Sequence, residues 1–266
     1  MGRWRIIVYC PAYNAEKTMG ELLERAAGAA EKLAAMGASL DSFIVIDDGS
    51  TDRTGAILKS CARKFSFLKI INKRQNQGPS SAVFGGMAAA LARAKKSGQL
   101  GRAILVRMDS DLEHQPEDLP AVVAPIISGK SDLSIGVLPI DSRNGIAAEW
   151  FNKTVGKAES MEFLGIPIPQ FDPGFHAFRA DRFAKLCPKL LRLRPIFRKK
   201  YGMDMLLMDF ILFVLAKRSG MKISTIGLRP IQSKFIKKQP VSKLAGYWGY
   251  HVKTCEFLRS LKSALV

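Results

Sequence analysis

Short apolar runs alternate with longer segments of helical periodicity over the first half of the chain. Residues 6–9 are mostly β-branched, whereas the apolar side chains of residues 16–37 recur every three or four positions. The same alternation continues to residue 136. It predicts strands at residues 6–9, 43–46, 68–71, 103–106 and 133–136, and helices at residues 16–37, 51–65, 79–96 and 117–128.

Alternating strands and helices predict an α/β fold in which a mostly parallel sheet is covered by helices on both faces. Ligands of such sheets bind where loops leave the carboxyl ends of the strands. The pattern is less regular after residue 140. There we expect helices at residues 146–162 and 203–219, a strand at residues 222–226 and a C-terminal amphipathic helix within residues 241–266.

The charge of the chain is unusual, although its composition is that of a folded protein, with 47% apolar residues among 266. The net charge is +18, and residues 189–243 contain fourteen Lys or Arg against two acids. A basic region of this size indicates an anionic partner: nucleic acid, an acidic membrane surface or a phosphorylated substrate. The alternative is a solvated face that keeps the protein soluble.

Cysteines and histidines argue against disulfides and zinc. The four cysteines form no CxxC pair, and the three histidines are widely separated. No apolar run reaches the ~20 residues that span a bilayer, and the short run before Pro11 is predicted to be a strand rather than a signal peptide. We therefore expect a cytoplasmic protein with reduced thiols.

Polar residues follow the first two predicted strands. Residues 11–14 read Pro-Ala-Tyr-Asn, and residues 47–52 read Asp-Asp-Gly-Ser-Thr-Asp. Gly49 permits a tight turn, and Asp48 would lie at a strand end, where its carboxylate can accept hydrogen bonds from a base or ribose. The alternative is a turn followed by a helix N-cap, which is common in α/β proteins.

Two carboxylates follow the fourth predicted strand. In an extended segment Asp109 and Asp111 lie on the same side, where they repel each other unless a cation lies between them. Mg²⁺ or Mn²⁺ suits such oxygen ligands and could neutralise a diphosphate leaving group. The alternative is a solvated pair of loop acids.

A segment of small residues opens the helix predicted at residues 79–96. Asn76 and Gly78 precede it, and Gly85 and Gly86 lie within it. Small side chains let a phosphate or nucleoside approach a helix N-terminus closely. A turn followed by a tightly packed helix is an equally good interpretation.

Together and in this order, these motifs resemble those of family 2 glycosyltransferases of the GT-A fold, over residues 5–136. Within that family the chain most resembles the polyprenyl-phosphate (dolichyl-phosphate) sugar transferases. Further segments carry this closer resemblance: residues 109–114, 116–118, 172–179 and 242–244, together with Asp209.

The resemblance implies an inverting, metal-dependent enzyme that takes a sugar from a nucleotide-diphosphate sugar and uses Mg²⁺ or Mn²⁺. It implies a GT-A domain at residues 1–240, with a nucleotide-binding half at 1–136 and an acceptor half at 137–240, before a helical segment at 241–266. Asp109 and Asp111 would hold the metal. The implied nucleotide-sugar ligands are Pro11, Ala12, Tyr13, Glu16, Asp48, Asn76, Gly78, Asp109 and Ser110.

The chain departs from the family pattern on the acceptor side. His176 stands where an Arg is usual. The candidate acceptor or phosphate ligands are instead Arg143, Arg229, Lys234 and Lys243. The Gln-x-x-Arg-Trp motif is absent from the sequence, which argues against a processive polysaccharide synthase.

Asp209 and Asp111 are the predicted catalytic residues. Asp209 would act as general base toward a hydroxyl acceptor of a glycan, glycolipid or cell-surface polysaccharide. A lipid phosphate needs no base, and Asp209 would then position other groups. The alternative for Asp209 is a helix acid paired with a nearby Arg or Lys, and Asp204 is expected to be such a partner.

The predicted acceptor is a polyprenyl phosphate, reached by peripheral association with an anionic membrane. Residues 192–201 and the last helix mix cations with apolar side chains, which suits such a surface; for the last helix, packing on the domain is an equal alternative. A catalytically silent nucleotide-sugar-binding protein and a nucleic-acid-binding protein are rival hypotheses. No nucleic-acid-binding motif is present in the sequence, so we expect no such partner, and a homo-oligomer is left open.

Overall fold

A computed structural model describes residues 3–139, 152–169, 173–230 and 241–261 of the protein. In these residues seven strands form one sheet: β1 (Trp4–Ala12), β2 (Ala38–Asp47), β3 (Leu68–Asn72), β4 (Ala103–Arg107), β5 (Leu133–Val137), β6 (His176–Arg179) and β7 (Ile223–Gly227). The helices are α1 (Met19–Ala35), α2 (Thr54–Lys64), α3 (Pro79–Lys96), α4 (Leu119–Ile127), α5 (Lys157–Leu164), α6 (Ala180–Tyr201), α7 (Met208–Arg218) and α8 (Val241–Ser260).

The sheet is buried on both faces because successive side chains of each strand point in opposite directions. In β1, Ile7 and Tyr9 pack with α3 and α7, whereas Ile6 and Val8 pack with α1 and α4. Both cores therefore share the sheet, as predicted for a single α/β domain.

The strand order is β3-β2-β1-β4-β6-β5-β7, and β6 runs antiparallel to both of its neighbours. The other neighbouring pairs are parallel, so the predicted mostly parallel sheet is confirmed. The sequence did not predict β6, because four residues are too few to show a strand period. Its insertion places His176 directly beside Arg107 of β4.

The second half of the chain differs from the prediction in its helices. The predicted helix at residues 203–219 begins only at Met208, and the helix α6 was not predicted. Pro188 and Pro195 lie inside α6 and obscured its helical pattern. The predicted helix at residues 146–162 corresponds to α5 and the π-helical turn Asn152–Gly156, with residues 146–151 outside the described residues.

Helix α8 packs on the domain rather than standing apart from it. Cys255, Phe257 and Leu258 are buried, and the Phe257 ring lies edge-on to Phe197 of α6. The alternative of a packed closing helix thus applies to this face of α8. In the part of the chain that is described, no helix combines the length and apolarity needed to cross a membrane.

Candidate functional site

The carboxyl ends of β1, β2 and β4 bring the three sequence motifs together. Pro11 and Ala12 end β1, Asp48 directly follows β2, and Asp109 follows β4 after one intervening residue. The Asp48 amide donates to the Ala12 carbonyl at 2.8 Å, which ties the first two loops together. The positional prediction from parallel-sheet geometry is therefore confirmed for these loops.

A cavity of about 310 Å³ opens between these loops, and we call it the strand-end cavity. Most of the predicted nucleotide-sugar ligands line it: Pro11, Ala12, Tyr13, Asp48, Asn76, Asp109 and Ser110. Asp111 lines it as well. Residues that are up to 100 positions apart in the sequence thus share one concave surface.

Asp48 is held firmly in this cavity. It is 2% exposed, its Oδ1 lies 2.8 Å from the Lys73 Nζ, and its Oδ2 accepts from the Gln77 amide at 3.2 Å. Gly49 follows with φ +74°, and a Cβ there would lie 2.5 Å from the backbone of Gln75. Glycine therefore lets the loop after β3 close against Asp48 and carry Asn76 into the cavity.

Two predicted nucleotide ligands lie apart from the cavity lining. Gly78, with φ +87°, precedes α3, and its amide donates to the Asn76 side chain at 2.8 Å. Glu16 accepts from the Arg53 amide at 3.1 Å and lies outside the residues that line the cavity. Gly78 thus shapes the loop of Asn76, and the role predicted for Glu16 stays a prediction.

A second cavity of about 350 Å³ adjoins the first, and we call it the Asp209 cavity. Five residues line both cavities and form the wall between them: Pro79, Val83, Arg107, Asp109 and Asp111. The remaining lining of the Asp209 cavity includes Ser80, Glu113, His114, Leu138, Pro173, Leu206, Met208 and Asp209.

Asp109 and Asp111 face the same space, as the sequence predicted, but their segment bends instead of continuing the strand. Leu112 has φ +63°, and the Glu113 amide donates to the Asp111 Oδ1 at 3.1 Å. Although Asp111 is open to the cavities, the surrounding protein and the nearby Asp109 carboxylate raise its pKa to about 6. This pair of mutually unfavourable carboxylates fits a hard divalent cation with oxygen ligands.

Further metal ligands from the protein are not gathered here. Among the described residues, no group of three or more His, Cys, Asp or Glu side chains has the geometry to hold a metal ion. Mg²⁺ is usually held by one or two carboxylates together with water and substrate oxygens, an arrangement to which Asp109 and Asp111 could contribute.

Arg107 is the site residue that the sequence analysis missed. Its guanidinium pairs with Asp109, Nη2 to Oδ1 at 3.0 Å, and its Nη1 pairs with Asp209. Asp209 is fully buried in α7, whose residues from Met208 to Ala216 are buried all round. The sequence does contain a signal for this pair. A buried strand that ends in Arg, and the buried run from Met208 to Ala216 with Asp209 as its one charged residue, each require a partner of opposite charge.

The two acids of the α7 region have different partners. Asp204 pairs with Arg194, Nε to Oδ1 at 2.9 Å, as expected of a structural ion pair, and Arg194 holds its pKa below the usual range. Asp209 also forms an ion pair, but with an Arg more than 100 residues away that lines both cavities. The alternative of a helix acid in an ion pair therefore fits the geometry of Asp209, although its partner is distant in the sequence.

Two histidines lie beside this charge cluster. His176 is fully buried with its Nε2 3.8 Å from the Asp209 Oδ1, and burial together with Arg107 lowers its pKa to about 3. His114 lines the Asp209 cavity, and burial lowers its pKa to about 4. Both rings are therefore neutral at physiological pH.

The predicted acceptor ligands are not gathered at this site. Arg229 pairs with Asp118, Nε to Oδ1 at 3.0 Å, and lies outside the lining of both cavities. Arg143 and Lys234 lie outside the described residues, as does the side chain of Lys243 in α8. Their roles stay predictions.

Comparison with known proteins identifies the family. The profile of Glycosyl transferase family 2 matches residues 7–187. The chain belongs to this family. The match extends from β1 into the first turns of α6 and includes the wall shared by the two cavities. The prediction of a glycosyltransferase is confirmed.

Relatives of this glycosyltransferase support the predicted branch of the family. It is 31% identical to a dolichol-phosphate mannosyltransferase of Pyrococcus furiosus, over 66% of this chain and 47% of that protein. It is 25% identical to an undecaprenyl-phosphate mannosyltransferase of Micrococcus luteus, over 74% of each chain. The resemblance to polyprenyl-phosphate sugar transferases is thus confirmed, although the chain spans less than half the length of the Pyrococcus protein.

A solved structure confirms the GT-A fold. Glucosyl-3-phosphoglycerate synthase from Mycobacterium tuberculosis, in complex with Mn²⁺, UDP and glucosyl-3-phosphoglycerate, superimposes with a TM-score of 0.60. The superposition covers 98% of this glycosyltransferase and 82% of that chain at 18% identity. At that identity the likeness concerns the fold alone.

Proposed function

We propose that this glycosyltransferase moves a sugar from a nucleotide-diphosphate sugar to a polyprenyl phosphate, with inversion at the anomeric carbon. The observation that carries the proposal is the pair of adjoining cavities with Asp109 and Asp111 in their common wall. The nucleotide would occupy the strand-end cavity, and the sugar and acceptor the Asp209 cavity. The reacting bond would then lie near the two carboxylates.

On the donor side, Asp48 would accept hydrogen bonds from the base or ribose. Its burial and its contacts with Lys73 and the Gln77 amide fix the carboxylate before the nucleotide arrives, so little side-chain freedom is lost on binding. Tyr13 is 47% exposed and could cover the nucleotide at the rim of the cavity.

Asp109 and Asp111 would hold Mg²⁺ or Mn²⁺, with Asp111 the more open of the two. When bound, such an ion supplies positive charge that stabilises the departing nucleoside diphosphate. The carboxylates themselves would be relieved of the mutual repulsion that raises the pKa of Asp111. The complex of Mn²⁺ with the Mycobacterium tuberculosis enzyme supports a divalent metal in this fold.

On the acceptor side, the pairing of Asp209 with Arg107 favours a phosphate nucleophile. The Asp209 carboxylate is buried and already bound to the Arg107 guanidinium, so it is poorly placed to take a proton from a hydroxyl group. A phosphate monoester is already anionic at neutral pH and needs no base. In this proposal Asp209 holds Arg107 in place, and the names of the relatives support the same acceptor class.

A surface that mixes cations and apolar side chains would bring the enzyme to its lipid. Arg192, Ile196, Arg198, Lys199 and Lys200 of α6 are exposed, as are Trp248 and Val252 of α8; we call these residues the basic face. Lys200 pairs with Glu256 at 3.0 Å, and Trp248 and Val252 share the helix stripe of Glu256, so the two parts adjoin. An anionic bilayer complements such a face.

The decisive experiment is a donor panel. UDP-, GDP- and TDP-sugars are incubated with Mn²⁺ or Mg²⁺, with and without polyprenyl phosphate, for wild type, Asp111→Ala and the control Asp181→Ala. Asp181 pairs with Arg179 at 2.7 Å at the start of α6, outside both cavities. We expect metal-dependent nucleotide release that rises with the lipid, remains in the control and falls by at least roughly 100-fold in Asp111→Ala.

Other outcomes would separate the alternatives. Release that ignores the lipid would retain the transferase and move the acceptor to a hydroxyl compound. Absence of binding and release with every donor would contradict the catalytic proposal and favour a silent binding protein. Salt-sensitive binding of DNA without sugar transfer would favour the nucleic-acid alternative.

A further inference from the structure

His114 is a buried polar side chain in the lining of the Asp209 cavity. His114 is 3% exposed and lies in the loop between Asp111 and α4, with its ring against the edge of Phe175 at 5.6 Å between centroids. Neither ring nitrogen has a hydrogen-bond partner among the residues that the structure describes. Buried polar atoms are nearly always hydrogen-bonded, so an unpartnered ring that lines a cavity indicates a partner in the ligand.

The charge state of His114 restricts the chemistry of that partner. Burial lowers its pKa to about 4, with an opposing contribution from Asp109 and a lowering one from Arg107. A neutral imidazole presents one N–H donor and one nitrogen acceptor. A phosphate group that is fully ionised offers acceptors alone and could bond only to the N–H, whereas a hydroxyl group can bond to either ring nitrogen, accepting from one or donating to the other.

We propose that His114 binds a hydroxyl group of the sugar that is transferred and selects donors by that group. The inference rests on the proposed function, since it assumes that the sugar enters the Asp209 cavity. The strand-end cavity and the Asp209 cavity share Asp109 and Asp111, where the diphosphate would lie. The sugar is attached to the distal phosphate and would then extend into the Asp209 cavity, whose lining includes His114.

The alternative source of a hydroxyl group is the acceptor. A polyprenyl phosphate has no free hydroxyl group besides those of its phosphate. If His114 affects the binding of a particular hydroxyl group when no acceptor is present, that group must belong to the donor. In the proposed function, a cation at Asp109 and Asp111 would account for the charge of the diphosphate. The neutral His114 ring is then suited to bind an uncharged hydroxyl group of the sugar.

The test combines protein variants with deoxy-sugar donors. His114→Phe removes both nitrogens and preserves the ring contact with Phe175, whereas His114→Gln restores one donor group and one acceptor group. For each protein, calorimetry measures the Kd of the best nucleotide sugar, of its singly deoxygenated analogues and of the free nucleoside diphosphate. The titrations contain Mn²⁺ and no acceptor, and they do not depend on turnover.

We expect His114→Phe to weaken binding of the intact donor by roughly tenfold to 100-fold. Binding of one deoxy analogue, and of the nucleoside diphosphate, should be the same in wild type and His114→Phe. His114→Gln should recover part of the affinity. The unliganded Phe variant should also have an equal or higher Tm, because it removes unsatisfied buried nitrogens, whereas a purely structural histidine would give a lower one.

The inference is overturned if His114→Phe weakens the intact donor and every deoxy analogue equally, or weakens the nucleoside diphosphate as well. It is also overturned if both variants bind the intact donor as tightly as wild type. A donor that binds with the expected coupling but is never transferred would contradict the proposed function and leave the hydroxyl contact in place. Failure of wild type to bind any donor would overturn both.

Discussion

Arg107 compensates two carboxylates that come from distant parts of the chain. Asp209 has a side chain only 1% exposed, Arg107 one of 9%, and Asp109 one of 30%. Desolvating such charges is costly, and removing one partner of a buried pair typically costs about 3–5 kcal/mol because a lone charge stays behind. The Arg107–Asp209 pair therefore adds little to the overall stability of the fold, but it fixes the geometry of the wall between the two cavities.

The acidity of Asp111 predicts how metal binding depends on pH. Its pKa is raised from 3.8 to about 6 by the surrounding protein and by the Asp109 carboxylate, so below pH 6 a proton competes with the cation. We expect the apparent affinity for Mn²⁺, measured by calorimetry, to fall about tenfold per pH unit below pH 6 and to level off above pH 7. The metal-free protein shows the opposite trend, since this group's contribution to folding stability is complete below pH 4 and is lost as the pH rises through 6.

Asp111→Asn serves as the control for this titration. It should bind Mn²⁺ weakly at every pH, without the step near pH 6. An unchanged step in this variant would assign the titration to another group, and a flat profile in wild type would exclude Asp111 as a metal ligand.

Much of the site at this scale could be predicted because its motifs are local. Asp48, Asp109 and Asp111 each follow a strand directly, and the carboxyl ends of neighbouring parallel strands converge. The role of Arg107 could not be predicted because it depends on the contact with Asp209. That contact follows from the strand order of the sheet, which local sequence patterns do not specify.

Among the elements, β6 and the turn that precedes it shape the site most directly. The strand has four residues, and Gly174 lies two positions before it. A Cβ on Gly174 would overlap the Asp109 carboxylate. Glycine at this position therefore lets the turn approach Asp109 and defines where that carboxylate points.

Gly174→Ala should displace Asp109 without removing it. We expect a loss of about 1–3 kcal/mol in the free energy of unfolding from the steric overlap. We also expect a decrease in kcat/KM of roughly 100-fold, because small displacements of reacting groups have large effects on rate. Chemical denaturation and the nucleotide-release assay measure the two effects.

Gly101→Ala is the matched control, since a Cβ there has no neighbour within 4 Å among the described residues. It should retain both activity and stability. Full activity of Gly174→Ala would mean that Asp109 can move without consequence, which would contradict its proposed place at the reacting bond.

Element prediction failed where tertiary structure, rather than local sequence, decides the conformation. The β6 strand exists because β4 and β5 flank it on both sides, and α6 tolerates two prolines while its apolar face, with Leu190, Leu193 and Phe197, packs into the core. In contrast, the strands and helices before residue 136 alternate regularly and were predicted in the right order.

On the scale of the whole molecule, the net charge is +18 and the positive charge is unevenly distributed. Part of it lies on the basic face of α6 and α8. Cations beside exposed Ile196, Val252 and Trp248 combine electrostatic attraction with apolar insertion. Attraction of this kind is screened at high ionic strength. The basic face should therefore bind anionic bilayers in a salt-dependent manner.

Vesicle sedimentation tests this prediction. We expect wild type to bind phosphatidylserine-containing vesicles and not pure phosphatidylcholine vesicles, with binding lost at about 1 M salt. The double variant with Ile196→Ala and Trp248→Ala should bind roughly tenfold more weakly. Ile71→Ala is the control, because Ile71 is 40% exposed on the edge strand β3 and is not part of the basic face. Equal binding to both vesicle types would contradict the electrostatic contribution.

The position of β6 in the sheet also has a consequence during synthesis of the chain on the ribosome. The strands β1 to β4 pair among themselves, but β5 pairs only with β6 and β7, and both of these come later in the sequence. A nascent chain that ends before residue 176 can therefore form four strands and must leave β5 unpaired, a hydrophobic segment exposed to other chains. Catalytic competence would arise last, when β6 and α7 join Arg107 to Asp209.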